Sequence, residues 1–227
     1  MSPVAFMRGM RRAHAHLDAY SHHPYPVTRG ETPWGFARGA CRYCKGILTL
    51  ANLPSLLREV RRDFGRKRIW LTEYGYQTNP PDRRIGVSYA KQGRYLSEAA
   101  LRARRAPYVD VLIHFIVQDE RRLAGWQSGL LTVSGARKPA FYSYMLPLAP
   151  VSRHGSRTTL WGQVQPRSGR QKYELQRYAH GHWRTVGGYR LTGRRGSFRR
   201  VVNARRGTLF RIYSPRDRAT SRVLRVR

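Results

Sequence analysis

The stretch Arg68-Ile-Trp-Leu-Thr-Glu-Tyr-Gly-Tyr76 predicts a β-strand over residues 68–72 that ends in a carboxylate. Apolar and aromatic side chains fill the run, as is typical of a strand covered by its neighbours. Glu73 follows where the strand ends, and Gly75 lets the backbone turn close to a neighbouring group. This segment therefore predicts one acidic side chain at the carboxyl end of a β-strand.

Helices and apolar runs alternate on both sides of this strand, within residues 1–149. Such alternation indicates a parallel sheet with covering helices. The long loops follow the strand ends, where a β/α barrel builds its active site. The nearly continuous apolar run at 109–117 predicts a strand buried on both faces. The predicted helices are 4–16, 52–65, 88–104 and 137–146, and the other strands are 17–20 and 109–117.

The alternation of helices and strands ends at Pro147 and Pro150. Short β-type runs then recur at intervals of about 8–12 residues, separated by Gly, Pro and Asn, which is typical of a small antiparallel sandwich. The predicted fold class is therefore α/β followed by all-β, with an immunoglobulin- or fibronectin-like β-sandwich over residues 150–227. Its predicted strands are 158–164, 172–178, 183–186, 197–202, 208–213 and 222–226.

The chain is strongly basic, with 44 Lys and Arg against 12 Asp and Glu and a formal net charge of +32. Five of the 44 are Lys and 39 are Arg, spread along the chain. Two interpretations remain open: a compositional drift toward Arg, and a surface for a polyanion. Weak, salt-sensitive nucleic-acid binding is expected under either, because phosphate contacts need only positive charge.

A basic nucleic-acid-binding protein is therefore one alternative, because aromatic and Arg surfaces stack bases. The competing interpretation places the aromatic rings in the sandwich core, beneath an Arg-rich exterior. The aromatic residues concerned are Tyr173, Tyr178, Trp183, Tyr189 and Phe198.

Targeting and metal signals are weak. No apolar run approaches the roughly 18 residues of a membrane span, and residues 1–12 lack the apolar segment of a secretory signal. Cys41 and Cys44 form one C-x-x-C, which is half of a zinc site. A local disulfide or two loop thiols, a metal site and a redox pair all remain open for them. No cofactor and no metal ligand set is predicted.

Polar and aromatic residues also follow the other two strands. His22, His23 and Tyr25 come after the strand at 17–20, and Gln118 and Trp126 come after the strand at 109–117. His and Tyr donate hydrogen bonds to a carboxylate or to sugar hydroxyls, and Trp offers a flat platform to a pyranose. A retaining glycosidase needs two carboxylates about 5–5.5 Å apart, one to attack the anomeric carbon and one to protonate the leaving oxygen.

These segments resemble the C-terminal part of a clan A glycoside hydrolase, the retaining group built on a TIM barrel. Residues 17–26 resemble the end of barrel strand six, and residues 69–78 resemble strand seven. Residues 109–119, 125–130 and 138–141 resemble strand eight and the closing helix. The resemblance covers residues 1–148 and implies a carbohydrate substrate and an extracellular location. It implies Glu73 as nucleophile, with His23 and Tyr25 lining the sugar site and Trp126 near it. Three further residues are predicted to bind the substrate: His22, Tyr74 and Gln118.

The chain departs from that family at the acid/base residue. In the family this Glu follows strand four in an Asn-Glu motif, and no Asn-Glu pair occurs here. One carboxylate does not supply both roles. We therefore expect the strand-six to strand-eight part of a barrel, which needs an upstream half to close it and is inactive alone. A non-catalytic carbohydrate-binding protein is a further alternative.

Overall fold

The structure is a computed structural model, and it describes residues 1–28, 30–39, 46–165 and 169–227. Within these residues the protein is a mixed α/β structure with four α-helices and three sheets. The chain divides into two compact units. Unit 1 comprises Met1–Ser88 and Arg102–Gly135, and unit 2 comprises Tyr89–Leu101 and Ala136–Arg227. Cys41 and Cys44 lie outside the described residues, and so do the interpretations offered for them.

Helix α1, Pro3–Arg12, opens unit 1. The side chain of Ser2 accepts a hydrogen bond from the N–H of Ala5 at 3.2 Å, and a proline stands in the first turn, where its missing N–H costs least. The helix ends before His14, whose φ of 52° is left-handed. It is therefore four residues shorter at its end than the prediction of 4–16.

Helix α2, Leu53–Phe64, follows a short 3-10 turn at Leu50–Asn52. Leu56 and Val60 recur at helical spacing and are buried, which anchors one face of the helix. Gly65 ends it with a φ of 78°, a conformation that glycine adopts without steric cost. The predicted helix over 52–65 is confirmed.

The sheet of unit 1 contains β1 (Ala19–His22), β2 (Arg68–Tyr74) and β3 (Val109–His114) in the order β1-β2-β3. Both pairings are parallel, as the alternation of helices and strands predicts. All three strands therefore end at the same edge. β1 lies two residues later in the chain than the prediction of 17–20, and β2 extends two residues beyond 68–72.

The two faces of this sheet differ in burial. Ile69 and Leu71 are buried on one face, whereas Trp70 and Ile113 are exposed on the other. The prediction of a strand at 109–117 buried on both faces is wrong in two respects. β3 ends at His114, and its alternate side chains meet a covered and an uncovered face, as strand geometry requires.

Helix α3, Tyr89–Arg105, and helix α4, Pro139–Met145, match the predictions of 88–104 and 137–146. In unit 2, Leu101 of α3 packs with Ala149 and Trp161 in a small buried cluster. None of the helices in the described part of the chain is long and apolar enough to cross a membrane.

Two antiparallel sheets make up the rest of unit 2. The first has the order β4-β5-β9, and the second has the order β11-β10-β6-β7, with β8 paired to β6 and β12 paired to β10. The antiparallel character predicted for residues 150–227 is confirmed. The bounds are β4 Leu148–His154, β5 Arg157–Gln163, β6 Lys172–Ala179, β7 His182–Thr185, β8 Arg190–Leu191, β9 Ser197–Asn203, β10 Leu209–Ser214, β11 Ala219–Thr220 and β12 Leu224–Arg225.

Strand β4 is absent from the sequence prediction because Pro150 lies within it. Proline lacks the N–H that a central strand must donate, so it is tolerated at sheet edges and bulges. β4 is an edge strand, and its register with β5 shifts between Pro150 and Ser152. The strand also crosses the boundary predicted between residues 149 and 150.

One buried cluster draws side chains from both sheets of unit 2. Leu160 on β5 belongs to it, together with Leu175 on β6 and Phe210 on β10. Tyr173 and Phe198 stack within the same cluster at a centroid distance of 3.8 Å. These two rings are therefore core residues and are closed to a ligand.

Candidate functional site

Glu73 stands near the end of β2, at the edge where all three parallel strands of unit 1 finish. Its side chain is 31% exposed. The Tyr25 hydroxyl donates a hydrogen bond to Glu73 Oε2 at 3.0 Å, and His23 Nδ1 lies 3.4 Å from the same oxygen. Together with Trp126 these side chains form what we call the Glu73 cluster: His23, Tyr25, Glu73 and Trp126.

An aromatic stack supports the cluster. The ring of Tyr25 lies against Trp126 at a centroid distance of 4.8 Å and an interplanar angle of 28°. Phe115, which follows β3, meets Trp126 edge-on at 5.2 Å and 84°. Offset-stacked and edge-to-face contacts are the favoured aromatic geometries. The tyrosine hydroxyl is therefore aimed at the carboxylate by packing as well as by its own hydrogen bond.

The backbone beneath the cluster is tightly packed. The hydroxyl of Ser128 donates to the Phe115 carbonyl oxygen at 2.5 Å. A methyl group on Gly75 would lie 2.5 Å from that same oxygen and 3.0 Å from Cβ of Ser128. A side chain at this position would therefore clash, because the segments that follow β2 and β3 approach each other closely. Glycine is required here for that close approach and not for a left-handed turn.

Burial, and then the hydrogen bond to Glu73, raise the pKa of the Tyr25 hydroxyl well above its usual range. The hydroxyl therefore keeps its proton throughout the neutral pH range and remains a donor. A donor fixed on one oxygen holds a carboxylate in a single orientation, which is useful to a group that must attack one carbon atom.

A cavity of ≈ 200 Å³ opens beside the cluster. Tyr25, Gly75 and Trp126 are among the residues that line it. A pocket walled by aromatic rings with a few convergent polar groups is the usual form of a small-molecule site. Further lining residues include Glu31, Tyr76 and Gln77.

The remaining predicted site residues are placed differently. His22 donates a hydrogen bond from Nε2 to the Leu48 carbonyl oxygen at 2.8 Å, because a carbonyl oxygen only accepts. Tyr74 is buried, and its ring packs edge-on against Tyr76 at 5.8 Å. Gln118 is exposed and donates from Nε2 to the Val133 carbonyl at 2.8 Å. Their roles toward a sugar stay predictions.

Two other carboxylates of unit 1, Glu31 and Asp119, have structural partners. Glu31, which lines the cavity, accepts a hydrogen bond from the N–H of Val27 at 2.9 Å. Asp119 accepts one from the N–H of Gly129 at 2.8 Å. These carboxylates hold loops in place, whereas Glu73 is held by side chains at the edge of the sheet.

Two supporting residues, Phe115 and Ser128, were not among the predicted site residues. Phe115 lies inside the apolar run at 109–117, where nothing distinguishes it from a buried strand residue. Ser128 follows Gln127 in a loop rich in Gly and Ser. Within the described part of the chain, no group of three or more His, Cys, Asp or Glu side chains could hold a metal ion.

The pH dependence of stability is expected to carry a contribution from His22. Burial lowers its pKa, the hydrogen bond to Leu48 opposes this, and the nearby His23 lowers it further. The folded state therefore binds fewer protons than the unfolded chain once the pH drops below about 6.5, the ordinary pKa of His. The contribution of His22 to stability is fully present above that pH and is lost as the pH falls through the lower pKa of the folded state.

Urea unfolding at a series of pH values between about 7.5 and 5 measures this contribution. We expect the stability of His22→Gln to fall less steeply with decreasing pH than that of the wild type. His182→Gln, which removes an exposed imidazole, is the matched control. Equal slopes for His22→Gln and the wild type would contradict the prediction.

The sequence matches no known family profile and no curated protein. Among solved structures, a β-glucuronidase of Bacteroides uniformis shares 15% identity at a TM-score of 0.43, over 92% of this chain and 25% of that one. An endo-β-1,3-glucanase of Amycolatopsis mediterranei shares 21% identity at a TM-score of 0.40, over 62% of this chain and 49% of that one.

A β-glucuronidase of Ruminococcus gnavus shares 15% identity at a TM-score of 0.39, over 59% of this chain and 23% of that one. These structural neighbours are glycoside hydrolases, matched at low identity and over part of their length. The chain spans about a quarter of the β-glucuronidases and about half of the glucanase.

Proposed function

We propose that unit 1 supplies the nucleophile of a retaining glycoside hydrolase and that this nucleophile is Glu73. The observation that carries the proposal is the hydrogen bond from Tyr25 to Glu73, made by a ring that is itself stacked on Trp126. The Glu73 cluster thus combines an oriented carboxylate with aromatic surface beside a cavity. The substrate class that fits this combination is an oligo- or polysaccharide.

In the proposed reaction Glu73 attacks the anomeric carbon of the sugar as the bond to the leaving-group oxygen breaks. That oxygen takes a proton from a second carboxyl group, and water later releases the sugar from Glu73. Glu31 and Asp119 are committed to backbone N–H groups. Because the sequence contains no Asn-Glu pair of the kind that carries the acid/base residue in the family it resembles, we assign that role to a carboxylate outside these 227 residues, on an upstream barrel half.

The uncovered face of the unit 1 sheet supports this assignment. Trp70 on β2 and Ile113 on β3 are 46% and 47% exposed on the same face, although both lie within their strands. Exposed apolar surface of this kind usually marks a place where another element docks. In a closed β/α barrel this face of the sheet is covered by the other strands.

A glycoside with an activated leaving group tests the proposal on this chain alone. Dinitrophenolate leaves without being protonated, so a 2,4-dinitrophenyl 2-deoxy-2-fluoroglycoside needs only the nucleophile. We expect the protein mass to increase by one fluoro-sugar, with one dinitrophenolate released, for at least one member of a panel of hexosides and hexuronides. Peptide mapping is expected to place the sugar on Glu73.

Alkyl glycosides serve as the second arm of the experiment. They require general acid catalysis, which contributes about 10²–10⁴-fold, so we expect no measurable hydrolysis by this chain. Hydrolysis of an alkyl glycoside would contradict the assignment of the acid to another chain segment. Labelling at a residue other than Glu73, or no labelling across the panel, would contradict the assignment of the nucleophile.

A further inference from the structure

The positive charge of the protein is concentrated in its β-rich part. Residues 136–227 contain 22 Lys and Arg and two acidic residues, Glu174 and Asp217. Two carboxylates leave about twenty positive charges of this segment without an acidic counterpart. Surfaces with such an excess attract polyanions, and they do so most strongly at low ionic strength.

One face of the second sheet combines this charge with aromatic rings. On β6, Tyr173 and Leu175 point into the core, so Tyr178 and Gln176 lie on the opposite face. Trp183 on β7 is directly opposite Tyr178, and their rings are 5.3 Å apart. Adjacent strands thus place two aromatic side chains on the outer face of the sheet.

An arginine completes this face. Arg211 on β10 is directly opposite Gln176, and its Nε donates to the Gln176 side-chain oxygen at 2.7 Å. Its guanidinium carbon lies 4.3 Å from the centroid of the Trp183 ring. Tyr178 is 42% exposed, and Tyr189, in the turn after β7, is 59% exposed. We call these residues the β7 surface: Gln176, Tyr178, Trp183, Tyr189 and Arg211.

A pair of like charges lies where β6 meets the edge strand β7, on the face opposite the β7 surface. Arg177 on β6 is directly opposite Arg184 on β7, and both are exposed. Like charges that face each other across a strand pair destabilise it, and a bound anion removes that cost. β7 is the last strand of this sheet, so a chain-like anion has open access to the edge.

We propose that the β7 surface binds single-stranded nucleic acid. The rings of Tyr178 and Tyr189, which are exposed, and of Trp183, which is half-buried, stack the bases. Arg211 on the same face neutralises phosphates, and Arg184 on the edge strand β7 does so where the nucleic acid passes around the edge of the sheet. Every base has a flat face, so stacking on such rings is tolerant of sequence. In a duplex those faces are occupied by neighbouring bases, and for this reason the surface selects single strands. Arginine suits this role better than lysine, because its planar group both stacks and pairs with phosphate.

Fluorescence anisotropy with labelled oligonucleotides separates stacking from charge. The probes are a twelve-nucleotide oligo-dT, an abasic oligomer with the same number of phosphates, and a duplex of the same length. We expect the wild type to bind oligo-dT more tightly than either of the others at moderate salt. Trp183→Ala and Tyr178→Ala are each expected to weaken oligo-dT binding roughly tenfold and to leave abasic binding unchanged.

Two further variants complete the design. Arg184→Gln is expected to weaken both single-stranded probes and to make the salt dependence of binding shallower by about 0.7 in logarithmic slope. Trp70→Ala removes an exposed tryptophan of unit 1 and is expected to leave the affinity for all three probes unchanged. Circular dichroism confirms that each variant is folded.

Three results would overturn the proposal. The first is equal affinity for oligo-dT and the abasic oligomer together with an unchanged affinity in Trp183→Ala, since the protein would then bind by charge alone. The second is tighter binding of the duplex. The third is tighter binding of a sulfated oligosaccharide of equal charge, which would make the partner an acidic glycan.

Discussion

Glu73→Gln is expected to lose the labelling by the fluoroglycoside, with a rate that falls by roughly 10³-fold or more. Glutamine has nearly the same shape as glutamate, but its amide is neutral and is a poor nucleophile. Tyr25 still has an oxygen to which it donates, so the Glu73 cluster is expected to stay folded. The dinitrophenolate released at early times, followed by its absorbance, measures the effect.

Glu120→Gln is the matched control, because it removes an exposed carboxylate from the loop after β3. We expect it to leave the labelling rate unchanged. The labelling rate of Tyr25→Phe is expected to lie between those of Glu73→Gln and Glu120→Gln. We expect a loss of about tenfold to a hundredfold, since a hydrogen bond to a charged group contributes about 1.5–3 kcal/mol. Full labelling in Glu73→Gln would refute the role of Glu73 as nucleophile.

The second large effect is expected in the core of unit 2. Phe210 on β10 is completely buried, within a cluster that both antiparallel sheets contribute to. Phe210→Ala removes the ring and leaves a cavity, which destabilises a protein by about 3–5 kcal/mol. The free energy of unfolding, from hydrogen exchange at the amides of β6 and β10, measures the change.

Val201→Ala on β9 is the control for this substitution, because Val201 is 55% exposed. A surface substitution of this kind changes the free energy of unfolding by about 0.5 kcal/mol or less. If Phe210→Ala and Val201→Ala had the same effect, the core of unit 2 would not be where the structure places it.

The elements of the fold followed from local signals where those signals were strong. Gly65 and the spacing of Leu56 and Val60 predict α2 correctly, because a helix end and a helix face depend on near neighbours. The sequence does not predict β4, because a proline indicates the end of a strand unless the strand is known to lie at the edge of a sheet. The predicted strand at 109–117 runs past the observed end of β3 at His114, because Phe115, Ile116 and Val117 are as apolar as the residues of a buried strand.

The site divides in the same way. Glu73 at a strand end, and Tyr25 after the preceding strand, are visible as residues in a pattern. Their mutual hydrogen bond joins residues 48 positions apart and follows only from the parallel pairing of β1 with β2. His22 and Tyr74 belong to the same predicted set, yet one donates to a backbone carbonyl and the other is buried.

Local sequence patterns are enough to predict that the first part of this protein alternates helices with strands, that the second is antiparallel, and that one carboxylate stands at the end of a strand. These features depend on side-chain periodicity and on Gly and Pro, which act over a few residues. Which side chains meet Glu73, and which aromatic rings reach the surface, depends on contacts between residues far apart in the chain and is visible only in the folded protein. Tyr173 and Tyr178 lie on the same strand, but an odd spacing of five residues sends one ring into the core and the other to the β7 surface.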